Sequence, residues 1–269
     1  MVKRDIIAIL TDFGLRDPYV AIMKGVILSI APHVKIIDIT HEVEKFNVKQ
    51  GAFILASVVR YFPRNTIYLC VVDPGVGTKR RPIIVETNRS TFVGPDNGIL
   101  MLAAHSEGIL RVIEIRNPKY MLKGRSSTFH GRDIFAPAAA YLAIGVDAGE
   151  MGEKIEDYIR MPFPEPAIYE KRIIGEIIYI DGFGNVVTNI PYELLKKLNI
   201  KYGDQLLIKF KGKESNIILR RSYGLGKENE LLAVIDSFNL LEIAINKGSA
   251  SKRLGAKIGD QITVEIKQF

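Results

Sequence analysis

Thr66-Ile67-Tyr68-Leu69-Cys70-Val71-Val72-Asp73-Pro74-Gly75-Val76-Gly77-Thr78-Lys79-Arg80-Arg81 is an apolar, β-rich run that stops at a carboxylate, a Pro/Gly turn and two guanidinium groups. Residues 66–72 read as a strand. The polar residues 73–81 therefore stand at a strand end, which is where open α/β sheets bind ligands. Gly75-Val76-Gly77 belongs to neither a dinucleotide fingerprint nor a phosphate loop. The stretch reads either as a tight turn with an Arg–Asp ion pair or as a site that activates a small nucleophile.

Working outward, strand and helix signals alternate. Residues 5–10 form a short apolar run. Residues 19–30 have helical spacing at Val20, Met23, Val26, Ile27 and Ile30. Strands are expected over 35–39, 82–86 and 111–115, and helices over 48–61, 97–104 and 134–144. This alternation predicts an α/β domain with a mostly parallel sheet and flanking helices. Met161-Pro162-Phe163-Pro164-Glu165-Pro166 reads as a linker. Strands then dominate, over 173–180, 186–190, 205–210, 216–220, 231–235 and 261–266. Lys201-Tyr202-Gly203-Asp204-Gln205 and Lys257-Ile258-Gly259-Asp260-Gln261 echo one another as Gly-Asp turns feeding strands. The expected division is an N-terminal α/β domain, 1–165, and a smaller C-terminal β-barrel domain, 171–269.

At 47% hydrophobic and 25% charged, the 269 residues carry enough apolar surface for a sizeable core. No apolar run reaches the length of a membrane span, and residues 1–5 lack the features of a signal peptide. The lone Cys70 reads as a core residue and points to the cytoplasm. The net charge of +7 is mixed with acids and reads as a solvated surface. Basic and aromatic residues are not interleaved, which argues against nucleic acid. His33, His41, His105 and His130 show no metal-like spacing, so no metal is expected.

Four further segments carry polar residues at turns. Thr11-Asp12-Phe13-Gly14, with Asp17, places carboxylates at a strand end; Asp17 also reads as a helix cap before Pro18. Gly94-Pro95-Asp96-Asn97-Gly98 opens a helix. Thr128-Phe129-His130-Gly131-Arg132-Asp133 holds a histidine able to handle protons near neutrality. Asp181-Gly182-Phe183-Gly184-Asn185 joins two strands, and in isolation Asp181 and Asn185 read as turn residues.

Together with residues 73–80, these segments resemble the S-adenosyl-L-methionine (SAM) hydroxide adenosyltransferases, or SAM hydrolases, relatives of the fluorinase and chlorinase. They occur in order and span most of the chain. The resemblance implies an N-terminal α/β domain, a C-terminal β-barrel, and a homotrimer with active sites between the N-terminal domain of one subunit and the C-terminal domain of the next. It implies that water attacks the ribose 5′ carbon, giving adenosine and L-methionine without a cofactor. Asp73, Arg80 and His130 would activate the water, with Arg81 the rival of Arg80. His130 is the preferred proton acceptor and Asp73 its orienting partner, although residue type leaves both open. Asp12 would hold the ribose hydroxyls and Phe46 would stand against the nucleoside. Asp17, Asp181 and Ser237 would hold the methionine end. Asn185 would contact adenine, Tyr223 would stack on it, and the stretch through Asn246 would complete the adenine site. Gly131 stands where the fluorinase carries serine, and a charged Asp73 would repel halide. A halide-using transferase, and a SAM-, adenosine- or nucleic-acid-binding protein without catalysis, are the alternatives.

Overall fold

The computed structural model describes residues 4–266. They form two compact units that meet in sequence between Pro162 and Phe163.

The elements of the first unit are β1 (Ile6–Thr11), α1 (Tyr19–Ile30), β2 (Lys35–Thr40), α2 (Val48–Val58), β3 (Ile67–Val71), β4 (Pro82–Thr87), β5 (Thr91–Pro95), α3 (Met101–Glu107), β6 (Ile109–Ile115), α4 (Ala136–Ala143) and β7 (Gly152–Ile155). The strands form one sheet in the order β2-β1-β3-β5-β4-β6-β7. Only β4 and β7 run against the rest.

Two-residue alternation builds both layers. Ile7 and Ile9, with Ile67, Leu69 and Val71, pack on α1 and α4. Ala8 and Leu10, with Tyr68, Cys70 and Val72, pack on α2 and α3. A one-residue slip would exchange the two sets. Each large side chain buried here contributes about 1.5–3 kcal/mol, so the register is fixed.

From β1 the chain passes through α1 to β2 on one side, then through α2 to β3 on the other. The strand order thus switches direction between β1 and β3. Their carboxyl ends, at Asp12 and Asp73, flank the crevice where such sheets bind ligands.

Two expectations shift. Residues 91–95 form a strand, and the helix expected from 97 begins at Met101. Gly94 makes this possible, because a Cβ there would lie 2.4 Å from the Cys70 carbonyl oxygen. The Ala-rich helix is entered through a wide π-turn, Gly131–Phe135. Such turns occur often at functional sites.

The second unit holds β8 (Ala167–Tyr169), β9 (Arg172–Ile180), β10 (Val186–Pro191), α5 (Tyr192–Lys197), β11 (Gln205–Phe210), β12 (Lys213–Ile218), β13 (Leu231–Ile235), β14 (Leu240–Ile245), α6 (Ala250–Leu254) and β15 (Gln261–Ile266). Its sheet runs β12-β11-β15-β9-β10-β14-β13, with β8 beside β9. A bridge between Leu219 and Ala233 links the exit of β12 to β13, so the sheet nearly closes as a barrel. Ile173, Ile177, Leu206, Ile208, Ile243 and Val264 fill its interior. The echoed turns are alike: Lys201 N donates to Asp204 Oδ2 and Lys257 N to Asp260 Oδ2, each at 2.8 Å. Helix α5, not expected from the strand pattern, carries Glu193 in its first turn and Lys196 and Lys197 in its last, matching the helix dipole. No helix among the described residues is long and apolar enough to cross a membrane.

Candidate active site

Asp73 follows the buried run of β3. Its carbonyl accepts from Val76 N, and Gly75 O accepts from Thr78 N and Oγ1, which closes the turn. Gly77, at φ +76°, brings this turn onto the next loop: a Cβ there would lie 2.5 Å from Ser127 O. That second loop is pinned by Asp133, which is buried and accepts from Ser126 N at 2.7 Å and Arg132 Nε at 2.5 Å. Burial raises the Asp133 pKa, but these bonds outweigh it and hold the carboxyl below its ordinary range.

The two loops join three side chains. Arg80 Nε donates to Asp73 Oδ1 at 3.0 Å, and Arg80 Nη2 donates to Asp73 Oδ2 and to His130 Nδ1, the latter at 3.0 Å. The Arg80 and Asp73 side chains are only 6% and 5% exposed. The guanidinium lies over the Phe135 ring, 5.2 Å from its centroid. Its Nη1 is buried without a partner among the described residues, a donor suited to an oxygen ligand. A guanidinium only donates, so His130 Nδ1 accepts and the imidazole proton is assigned to Nε2. Burial, then the Arg80 charge, holds the His130 pKa below its ordinary value.

Arg81 points elsewhere. It pairs with Asp96 at 2.7 Å and Asp157 at 2.8 Å. Asp96 also accepts from Ile159 N at 2.8 Å. This group clamps residues 157–159 to the end of β5.

Asp12 is buried at the end of β1; its Oδ2 accepts from Phe46 N at 2.9 Å and its carbonyl from Lys45 Nζ. Phe46 is 68% exposed and sits at φ +66°. A bulky side chain in the left-handed region stores strain, and such outliers cluster at ligand sites. Asp17 is exposed and does not cap α1; Pro18 occupies the capping position.

In the second unit, Phe183, Asn185, Tyr223, Lys247 and Ser249 are among the residues lining a cavity of about 520 Å³. Asp181 fixes Asn185: its carboxylate accepts from Phe183 N, Asn185 N and Asn185 Nδ2 at 3.0, 2.8 and 2.9 Å. Asn246 Nδ2 donates to Gly226 O at 2.8 Å and so holds the loop after Tyr223. Ser237 is exposed in the turn between β13 and β14. Asp181, Ser237 and Asn246 are not among the cavity-lining residues. Sequence reasoning missed Lys45, Lys247, Ser249 and Phe183; an aromatic between two glycines was the available signal for Phe183, which is 83% exposed. Among the described residues, no group of three or more His, Cys, Asp or Glu is placed to hold a metal ion.

The chain matches the family described as SAM hydroxide adenosyltransferase, its N-terminal domain over residues 7–152 and its C-terminal domain over residues 175–263. It is 35% identical over 261 residues to the (R)-S-adenosyl-L-methionine hydrolase of Salinispora arenicola, covering 96% of this chain and 97% of the relative. A fluorinase from Nocardia brasiliensis is 27% identical over 293 residues, covering 98% of each. The crystal structure of an uncharacterized conserved protein from Thermotoga maritima is similar with a TM-score of 0.92 at 42% identity, covering 96% of this chain and 99% of that one.

Proposed function

The chain belongs to the SAM hydroxide adenosyltransferase family, and on that premise we propose that it hydrolyses SAM to adenosine and L-methionine through water activated by Asp73, Arg80 and His130. The observation that carries this reading is the contact of the buried Asp73–Arg80 pair with the half-buried His130 at the end of β3. The leaving group is a neutral thioether, so no acid is needed at sulfur. The difficulty is the nucleophile, because bulk water has a pKa of about 15.7.

Arg80 Nη1 and the Nε2–H of His130 hold the water oxygen and stabilise the charge that develops on it. The water proton passes to the Asp73 carboxylate. The oxygen forms a bond to the 5′ carbon as the carbon–sulfur bond breaks, and its electron pair leaves on methionine sulfur. Proton acceptance is assigned to Asp73 in place of His130, because the imidazole has Nδ1 bonded to Arg80 and a proton on Nε2. The buried Asp73 charge also disfavours a halide nucleophile.

Asp12 holds the ribose hydroxyls and Phe46 covers the nucleoside. Asn185, with Nδ2 held by Asp181, offers Oδ1 to the purine amine, and Tyr223 stacks on the ring. Asp17 and Ser237, both exposed, take the methionine amino-acid end; Asp181 and Asn246 shape the loops around the purine. These residues come from two units, and the family resemblance supports a homotrimer that joins the first unit of one subunit to the second of the next. Light scattering after size-exclusion chromatography tests the trimer. The single, buried Cys70 supports a cytoplasmic setting.

Incubation with SAM in oxygen-18 water should yield adenosine labelled at the 5′ oxygen. The R form named for the Salinispora relative is the first form to test. Unlabelled adenosine, or undiminished release by Asp73→Ala and His130→Ala, would refute the mechanism.

A further inference from the structure

Glu242 is a carboxylate that the reaction above does not use. It lies on β14, is 4% exposed, and stands opposite Val234 of β13. Leu232, Val234 and Ala244 form the small apolar cluster on this part of the barrel. The Tyr223 hydroxyl donates to Glu242 Oε1 at 2.8 Å. The other charges acting on Glu242 are Asp236 and Asp181, both acidic. An uncompensated buried carboxylate is costly, and such groups gather at functional sites.

The cost has a location. Tyr223 sits on the short turn Tyr223–Leu225, 42% exposed, and forms one wall of the 520 Å³ cavity. A tyrosine on a short surface turn is free to change rotamer unless its hydroxyl is tied. The only hydrogen bond to its hydroxyl given by the structure's described residues is the one to Glu242. We propose that Glu242 is a positioning residue that fixes the Tyr223 ring as the stacking wall of a purine-nucleoside subsite. This rests on the hydrolase reading and names a residue through which its adenosine subsite is built.

The position favours this role over simple support of the barrel. Glu242 pairs in register with β10 at Val187 and with β13 at Val234, so its backbone is already held. Its carboxylate therefore serves the side chain it holds and not the strand. Burial, opposed by the Tyr223 bond and reinforced by Asp236 and Asp181, raises its pKa to about 7.

The test measures adenosine affinity by calorimetry on the full-length protein, alongside SAM kinetics and melting temperature. Stacking on an aromatic side chain contributes enough that loosening the ring should weaken adenosine binding about tenfold. Glu242→Ala and Tyr223→Phe should each raise the adenosine Kd and the KM for SAM by that factor with kcat little changed. Glu242→Gln keeps an acceptor and should restore both. The double variant Tyr223→Phe/Glu242→Ala should be no worse than either single one. Folded single variants with unchanged Kd, or a fall in kcat at unchanged KM, would overturn the proposal; so would a wild type that binds no adenosine. A wild type that binds adenosine in this Glu242-dependent way yet leaves SAM intact would overturn the hydrolase reading alone.

Discussion

Replacing Gly77 with alanine should disable the reaction from outside the reacting groups. Gly77 sits at φ +76°, and its Cβ would lie 2.5 Å from Ser127 O. Two costs follow. An alanine in the left-handed region costs roughly 1–2 kcal/mol. The clash adds a displacement: ordinary contact begins at 3.4 Å, so the turn must retreat by 0.9 Å. The Arg80–His130 bond is 3.0 Å and spans these same two loops. Lengthened by that amount it passes beyond hydrogen-bond range. A misplacement of about 1 Å at a reacting centre costs on the order of 10²-fold in rate. The assay is adenosine release at saturating SAM, with a thermal melt of the same preparation. Gly124→Ala is the matched control, because Gly124 also has positive φ (+71°) but nothing within 4 Å of its Cβ. It bears the conformational cost without the clash and should keep kcat near wild type. Equal kcat values for folded Gly77→Ala and Gly124→Ala would refute the claim that the two loops set the Arg80–His130 geometry.

Asp73→Asn leaves the buried Arg80 without its anion, which should cost about 3–5 kcal/mol in denaturant unfolding and about 10²–10⁴-fold in adenosine release. Arg81→Gln loosens only the clamp on residues 157–159 and should stay far closer to wild type; losses as large as those of Asp73→Asn would reverse the choice of Arg80. Because burial and Arg80 depress the His130 pKa, a pH–rate profile should show an acid limb below 6.5, where protonation sets two donors against each other. The unfolded chain takes up that proton first, so stability should also fall as pH drops below 6.5; a limb above 6.5 would contradict the assignment. Glu242 has the opposite sign: folded, it keeps its proton to about pH 7, while unfolded it releases it near 4.5, so stability falls as pH rises through that window. Glu242→Gln should therefore gain up to about 3 kcal/mol over wild type at pH 8 and little at pH 4, read by urea titration; equal gains at both pH values would show that the carboxylate is not titrating.

Much of this was legible because apolar pattern and turn chemistry agree. The run 66–72 could only be a buried strand, and Asp73 had to emerge at its end. The Gly203-Asp204 and Gly259-Asp260 turns were readable because each motif closes on its own aspartate. Strand β5 was hidden by its Gly94-Pro95 ending, which mimics a turn; its pairing depends on a tight approach to the Cys70 carbonyl, a long-range fact. The π-turn at Gly131–Phe135 looks like the first turn of a helix in sequence. Arg80 and Arg81 are chemically identical neighbours, and they separate only because Asp73 and Asp96 end two different strands. Glu242 was invisible because Leu240-Leu241-Glu242-Ile243-Ala244-Ile245 alternates like a strand with a solvent face. In the fold, Glu242 is buried beside Val234 of β13, and the Tyr223 hydroxyl donates to its carboxylate.

The two buried carboxylates follow opposite electrostatic logic, and the chemistry explains why. Displacement at carbon with a neutral leaving group requires charge on one side only, that of the incoming oxygen. The end of β3 brings together one cation, one anion and one imidazole, and leaves Arg80 Nη1 as a buried donor without a partner among the described residues, the place of the proposed water. Pairing offsets part of the desolvation of the two buried ions, Asp73 and Arg80. Purine recognition demands no charge, and at the proposed subsite Glu242 is held without a cation at a standing cost to stability. Its presence fits the proposed subsite, in which the placement of one ring outweighs the stability lost by keeping an acid beside it.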